Sequence, residues 1–160
     1  MTNKLTQEEF DKLERNNYGF IDVPAFTDLT EIKVFPNKCI FGTGCSFGED
    51  CRFGNLCSFG GYCNFGKDCR FGKDCSFGED YRFGKDCSIC DHVLTHSHTL
   101  TMTGLDYSKR TLYLWKTKDG IYCQAGCFFG NKETFLQRVN KKYGENSDYE
   151  KAVNFLESLK

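Results

Sequence analysis

Residues 45–54 read CSFGEDCRFG, two copies of one six-residue phrase: Cys, any residue, Phe, Gly and two more. From Cys39 the chain divides into eight such hexads without interruption: CIFGTG, CSFGED, CRFGNL, CSFGGY, CNFGKD, CRFGKD, CSFGED and YRFGKD. Phe-Gly holds the third and fourth places throughout, and only Tyr81 replaces the opening Cys. A helix does not suit a period of six, and a glycine in every hexad would cost it about 1 kcal/mol each. Short strands do suit it. Cys and Phe lie two residues apart, so both side chains fall on one face. Gly then marks a corner, where a side chain would clash or where unusual dihedrals are needed.

Weaker copies extend the phase upstream as IDVPAF from Ile21, TDLTEI from Thr27 and KVFPNK from Lys33, and CSICDH from Cys87 closes it. The repeat thus spans residues 21–92, about twelve hexads. It resembles the hexapeptide repeat of left-handed parallel β-helices, with a large apolar corner residue, a small residue after it and another two places before it. Phe stands here where that family prefers Leu, Ile or Val. The resemblance implies three hexads per triangular coil, hence about four coils, and homo-oligomers, commonly trimers. Residues eighteen apart then stack. Phe41, Phe59 and Phe77 form one column, Phe47, Phe65 and Phe83 a second, and Phe53, Phe71 and Ile89 a third.

A solenoid must cover its open ends. Residues 6–16 read as a short helix, opened by a Thr6/Glu9 capping box and striped by Phe10 and Leu13. Beyond residue 92 the pattern becomes strand-like at 99–104, 110–116 and 121–125, the last two forming a hairpin. Helix follows from Lys132 to Tyr143 between Asn131 and Gly144, and a second begins at Ser147 with Glu150 three residues on. The expected architecture is mainly β: a helical cap at 1–20, a parallel β-helix at 21–92 and a ββαα module at 93–160. Thr117–Ile121, Gly126–Gly130 and Phe135–Gly144 also look like a terminal module of uncharacterised bacteriophage and prophage proteins. That likeness implies a phage or mobile-element origin and no particular reaction.

Formal net charge is -1, so no global field points to nucleic acid, and direct DNA binding is not expected. The polar opening lacks a signal-peptide core. No run approaches the ~18 apolar residues of a membrane span. The reading is therefore cytoplasmic, with the eleven cysteines as reduced thiols. Spread along an axis, the cysteines of the repeat read as small buried fillers rather than as a metal or redox array. No cofactor is expected. Cys90, His92, His96 and His98 cluster where the repeat ends and are the candidate metal ligands, set against a plain polar end-coil surface.

The variable places of the hexad point outward and carry the candidate ligand site. Arg52 falls over Arg70, with Lys67 and Lys85 nearby and Arg82 on another face. The Asp columns beside them read either as partners in a solvated salt ladder or as bystanders to an anion held by the arginines. Tyr113 and Trp115 of the hairpin read as core, or as stacking residues for a base. The favoured function is a phage-type binding protein without catalysis. It would act in counter-defence, sequestering a phosphate-bearing nucleotide signal of the host or blocking a host defence protein. The alternatives are a trimeric hexapeptide-repeat acyltransferase, with His92, His96 or His98 as base, and a structural scaffold.

Overall fold

A computed structural model describes residues 3–105 and 110–159, with the backbone alone at 96–99. The chain forms two compact units, Met1–Asp91 and His92–Lys160. The first is a parallel β-solenoid of about four turns. One wall stacks β1 (Asn3–Lys4), β3 (Thr27–Leu29), β6 (Ser46–Phe47), β9 (Asn64–Phe65) and β12 (Arg82–Phe83). The second stacks β2 (Ile21–Val23), β5 (Cys39–Phe41), β8 (Ser58–Phe59) and β11 (Ser76–Phe77). The third stacks β4 (Val34–Phe35), β7 (Arg52–Phe53), β10 (Arg70–Phe71) and β13 (Ser88–Ile89). Strand partners are eighteen residues apart, as Arg52 and Arg70 show, which is three hexads per coil.

The phenylalanines form the three expected columns. Phe35, Phe53 and Phe71 stack at 4.8 Å with their planes nearly parallel, at the strand spacing of a sheet. Phe41, Phe59 and Phe77 stack at 5.0 and 5.1 Å, and Phe47, Phe65 and Phe83 at 4.9 and 5.4 Å. Between columns the rings meet edge to face, as at Phe47–Phe53 and Phe59–Phe65. Each ring therefore offers its face along the axis and its edge across it, the two arrangements the ring quadrupole favours. This explains Phe where the resembling family prefers an aliphatic residue.

The glycine after each Phe is demanded by close approach. A Cβ on Gly48 would lie 2.2 Å from the Thr30 carbonyl oxygen, and one on Gly66 2.6 Å from the backbone of Gly48. The left-handed corner sits two residues later instead. Asp50, Leu56, Tyr62, Asp68, Asp74, Asp80 and Asp86 all have φ between +53° and +61°, a region that Asp tolerates better than most residues. The Asp columns are thus accounted for by backbone shape. No ion pair joins Asp50 or Asp68 to Arg52 or Arg70 among the described residues; the observed pair on this corner is Lys67–Glu49 at 3.6 Å. A ladder of side-chain amides braces another corner: Asn37 Oδ1 accepts from Asn55 N–H, and Asn55 Oδ1 from Lys73 N–H.

Helix α1 (Gln7–Asp11) begins at the expected Thr6 cap, with the full capping box to Glu9, but is shorter than expected. Asn16 ends the segment by accepting from Tyr18 and Phe20 N–H, and Arg15 donates to the Gly19 and Asn37 carbonyls. Phe10 is buried and meets Phe35 edge-on at 5.2 Å, closing the Phe stack at this end. Strand β1 extends one wall beyond β3, an element the sequence pattern did not signal.

The second unit is an antiparallel sheet in the order β14 (His92–Thr103), β15 (Thr111–Thr117), β16 (Gly120–Ala125) and β17 (Phe128–Asn131). Helices α2 (Lys132–Tyr143) and α3 (Asp148–Ser158) follow, capped by Asn131 and Ser147 as the sequence predicts. Leu112, Leu114 and Cys123 of the sheet share a buried core with Phe135, Val139, Val153 and Leu156 of the helices. The module is ββββαα rather than ββαα, because two strands flank the expected hairpin: β14 pairs with β15, and Phe128–Asn131 pairs with β16 instead of forming a loop. No helix among the described residues is long and apolar enough to cross a membrane.

Candidate functional site

The solenoid interior offers thiols, and the structure gives them a role beyond filling. Each hexad cysteine is buried, and from Cys63 onward its Sγ donates to the carbonyl of a corner glycine one coil back; Cys45 and Cys57 reach the Pro24 and Pro36 carbonyls that hold the same place, Cys51 the Ile32 carbonyl, and Cys39 the Pro36 carbonyl just before it. Cys63 reaches Gly42 at 3.5 Å, Cys69 reaches Gly48 at 3.3 Å, Cys75 reaches Gly54 at 3.4 Å and Cys87 reaches Gly66 at 3.3 Å. These carbonyls face the interior, where an unsatisfied acceptor is costly. Cysteine is small enough for the wall and still a donor, which alanine is not.

The thiols also stack along the axis. Hydrogen bonding between neighbouring sulfurs, with burial, pushes Cys39 and Cys75 up, and likewise Cys51 and Cys87. Cys57 and Cys69, each the middle of three, are lowered by their contacts with the thiols above and below, and Cys45 is lowered to about 7 by its neighbour Cys63. Cys90 is raised to about 11 and Cys123 to about 12, both by burial. Cys127 is exposed. We expect one fast equivalent of a thiol reagent in the native protein, at Cys127 by peptide mapping, and eleven after denaturation. Rapid labelling of Cys57 or Cys69 in the native state would contradict a closed wall.

The candidate ligands at the end of the repeat do not converge. Cys90 donates to the Gly72 carbonyl at 3.6 Å in the solenoid. His92 belongs to the second unit, where its ring stacks on Tyr122 at 3.7 Å and Nδ1 lies 3.1 Å from Asp119 Oδ2. The side chains of His96 and His98 lie outside the described residues. Among the described residues no three of His, Cys, Asp or Glu gather as a metal would require.

The cationic candidates divide among faces. Arg52 and Arg70 are exposed and in direct register, with Val34 before them and Ser88 after. Their strands lie one coil apart, 4.8 Å by the stacked rings of Phe53 and Phe71. Two unit charges at this separation repel by about 1 kcal/mol in water. Lys67 is drawn toward Glu49, and Lys85 is exposed one coil further on. Arg82 stands on a different wall, in the column of Ser46 and Asn64. Tyr113 and Trp115 are in the second unit, stacked in parallel at 5.6 Å, and Trp115 is fully buried.

One feature of the second unit escapes sequence reasoning. A cavity of about 160 Å³ opens between β17, α2 and the start of α3, with Arg110, Arg138 and Lys142 among its lining. The Arg138 guanidinium lies 4.8 Å from the centre of the Phe128 ring, and Lys142 Nζ 5.0 Å from that of Tyr143. Arg138 and Lys142 are one helical turn apart, the spacing that could have flagged them; Arg110 joins them only through the fold.

The chain is thus a parallel β-solenoid followed by an antiparallel sheet with two helices. Comparison with known proteins finds no matching family, no matching curated protein and no matching solved structure.

Proposed function

We propose that the protein is a binding protein without catalysis, which holds a phosphate-bearing, nucleotide-type ligand on the third wall of the solenoid. The observation that supports this is the pair Arg52 and Arg70, exposed in register with no carboxylate partner among the described residues. A phosphate between them would replace repulsion by two charge-assisted contacts. The ring-packed wall beneath holds both backbones in place, so little order has to be acquired on binding. A phage or mobile-element origin, a counter-defence role in the host cytoplasm and a homotrimeric state belong to the same reading. Calorimetry against cyclic nucleotides and ADP-ribose derivatives is the test. At least one should bind, and R52A/R70A should weaken it about tenfold or more, as loss of charged hydrogen bonds implies. Absence of heat with every nucleotide would sink this function.

A further inference from the structure

The cavity of the second unit combines features that a structural void lacks. Its floor is apolar and ordered: Phe135 and Tyr149 are buried, and Tyr149 packs against Tyr143 at 5.3 Å. Its rim carries three cations and no carboxylate. Arg110, Arg138 and Lys142 make no ion pair among the described residues. Like charges one turn apart on a helix, as Arg138 and Lys142 are, destabilise it, and a bound anion would reverse the sign of that term. Both of these cations lie against aromatic faces, at Phe128 and Tyr143, which holds them at the rim.

Size narrows the ligand. At about 160 Å³ the cavity falls below the roughly 300 Å³ where sites for drug-sized molecules begin. It is close to the roughly 150 Å³ cavity that accommodates one benzene ring. An inorganic anion would leave the ring-lined floor unused, and a neutral ring would leave the cations unused.

We infer that this cavity binds a single-ring aromatic anion, a carboxylate or phosphate ester, with its ring against Phe128, Tyr143 and Tyr149 and its charge among Arg110, Arg138 and Lys142. The site is independent of the arginine pair on the solenoid. Its backbone frame is local: Asn131 caps α2, and Gly130 leaves room for Phe128, whose ring would lie 2.8 Å from a Cβ there.

The test titrates the full chain with benzoate, phenyl phosphate, benzamide and inorganic phosphate, following heteronuclear NMR shifts of α2 and β17. Cys127, exposed on the cavity wall, supplies a second readout through its rate of thiol labelling. Benzoate or phenyl phosphate should saturate the shifts and slow Cys127 labelling, and benzamide and inorganic phosphate should bind at least about tenfold more weakly. R138Q/K142Q changes exposed side chains only, so its circular dichroism and melting should match the parent. It should lose the aromatic anion by about tenfold or more, whereas R52A/R70A should keep it. Equal binding of benzamide, undiminished binding by R138Q/K142Q, or no saturation by either aromatic anion at millimolar concentration overturns the assignment.

Discussion

Phe59→Ala is expected to destabilise the solenoid by about 3–5 kcal/mol, the range for removing a fully packed phenylalanine. Phe59 occupies the middle of its column, 5.0 Å from Phe41 and 5.1 Å from Phe77. It also meets Phe53 and Phe65 edge to face at 5.0 and 4.9 Å. Alanine would leave a hole flanked on every side by rings that the parallel ladder keeps in place, so the wall has little freedom to collapse. A domain of this kind holds about 5–15 kcal/mol in all, so the loss is a large share. Each coil touches only its neighbours; the mutant should therefore unfold in two stages, its urea transition broadened as well as shifted. Phe155→Ala is the control. That ring is 55% exposed on α3, and its removal should stay within about 0.5 kcal/mol. Similar midpoints for the two variants would mean that the Phe columns do not carry the stability assigned to them.

Gly66→Ala should be nearly as damaging, for a different reason. The added methyl would sit 2.6 Å from the carbonyl carbon and oxygen of Gly48 and 2.7 Å from Glu49 N. All three are backbone atoms, so relief requires two coils to part where Gly66 N–H donates to the Phe47 carbonyl at 3.2 Å. Overpacking of this type costs about 1–3 kcal/mol, and the ladder hydrogen bond adds about 1 kcal/mol if it breaks. Gly61→Ala separates crowding from the general effect of the substitution. Its Cβ would find the Glu79 carbonyl oxygen at 3.2 Å and Glu79 Cγ at 3.3 Å, contacts that ask for a shift of a few tenths of an ångström rather than the parting of two coils, and alanine also restricts the unfolded chain. The Gly61 variant should melt within a few degrees of the parent and the Gly66 variant well below it. Indistinguishable thermal unfolding of the two would remove the close-approach explanation for the repeated glycine.

Much of this was legible from residue spacing, because the repeat makes a non-local fold locally periodic. The phase of Cys39, Phe41 and Gly42 fixes which residues face inward, and the partner of Arg52 follows by counting three hexads. Helix caps were equally plain, since Thr6, Asn131 and Ser147 act on amides within three residues. What escaped was either a choice between two local causes or a convergence of distant ones. Gly was read as the corner and Asp as an outward charge, whereas the structure assigns crowding to Gly48 and the left-handed turn to Asp50. The recurring acid in the sixth place was the available signal for that turn. Strand β17 was hidden because Gly126 and Gly130 read as a loop, although they bracket residues that pair with β16. The cavity was legible at most in the one-turn spacing of Arg138 and Lys142, for its third cation, Arg110, comes from before β15. The arginine pair was visible only because the solenoid converts sequence distance into height.

That conversion has a consequence for how such a chain can change. Inserting or deleting eighteen residues, one whole turn such as Cys51–Asp68, alters the length of the rod and leaves every wall with its own columns. Losing a single hexad, such as Cys57–Tyr62, preserves the interior equally well, because one Phe column is chemically like the next. The exterior is another matter. Every later residue would rotate by one wall, and Arg70 would leave the column of Arg52 while the fold itself survived. Slippage by six is thus silent to the core and audible only on the surface, a route by which recognition can be rewritten without any substitution.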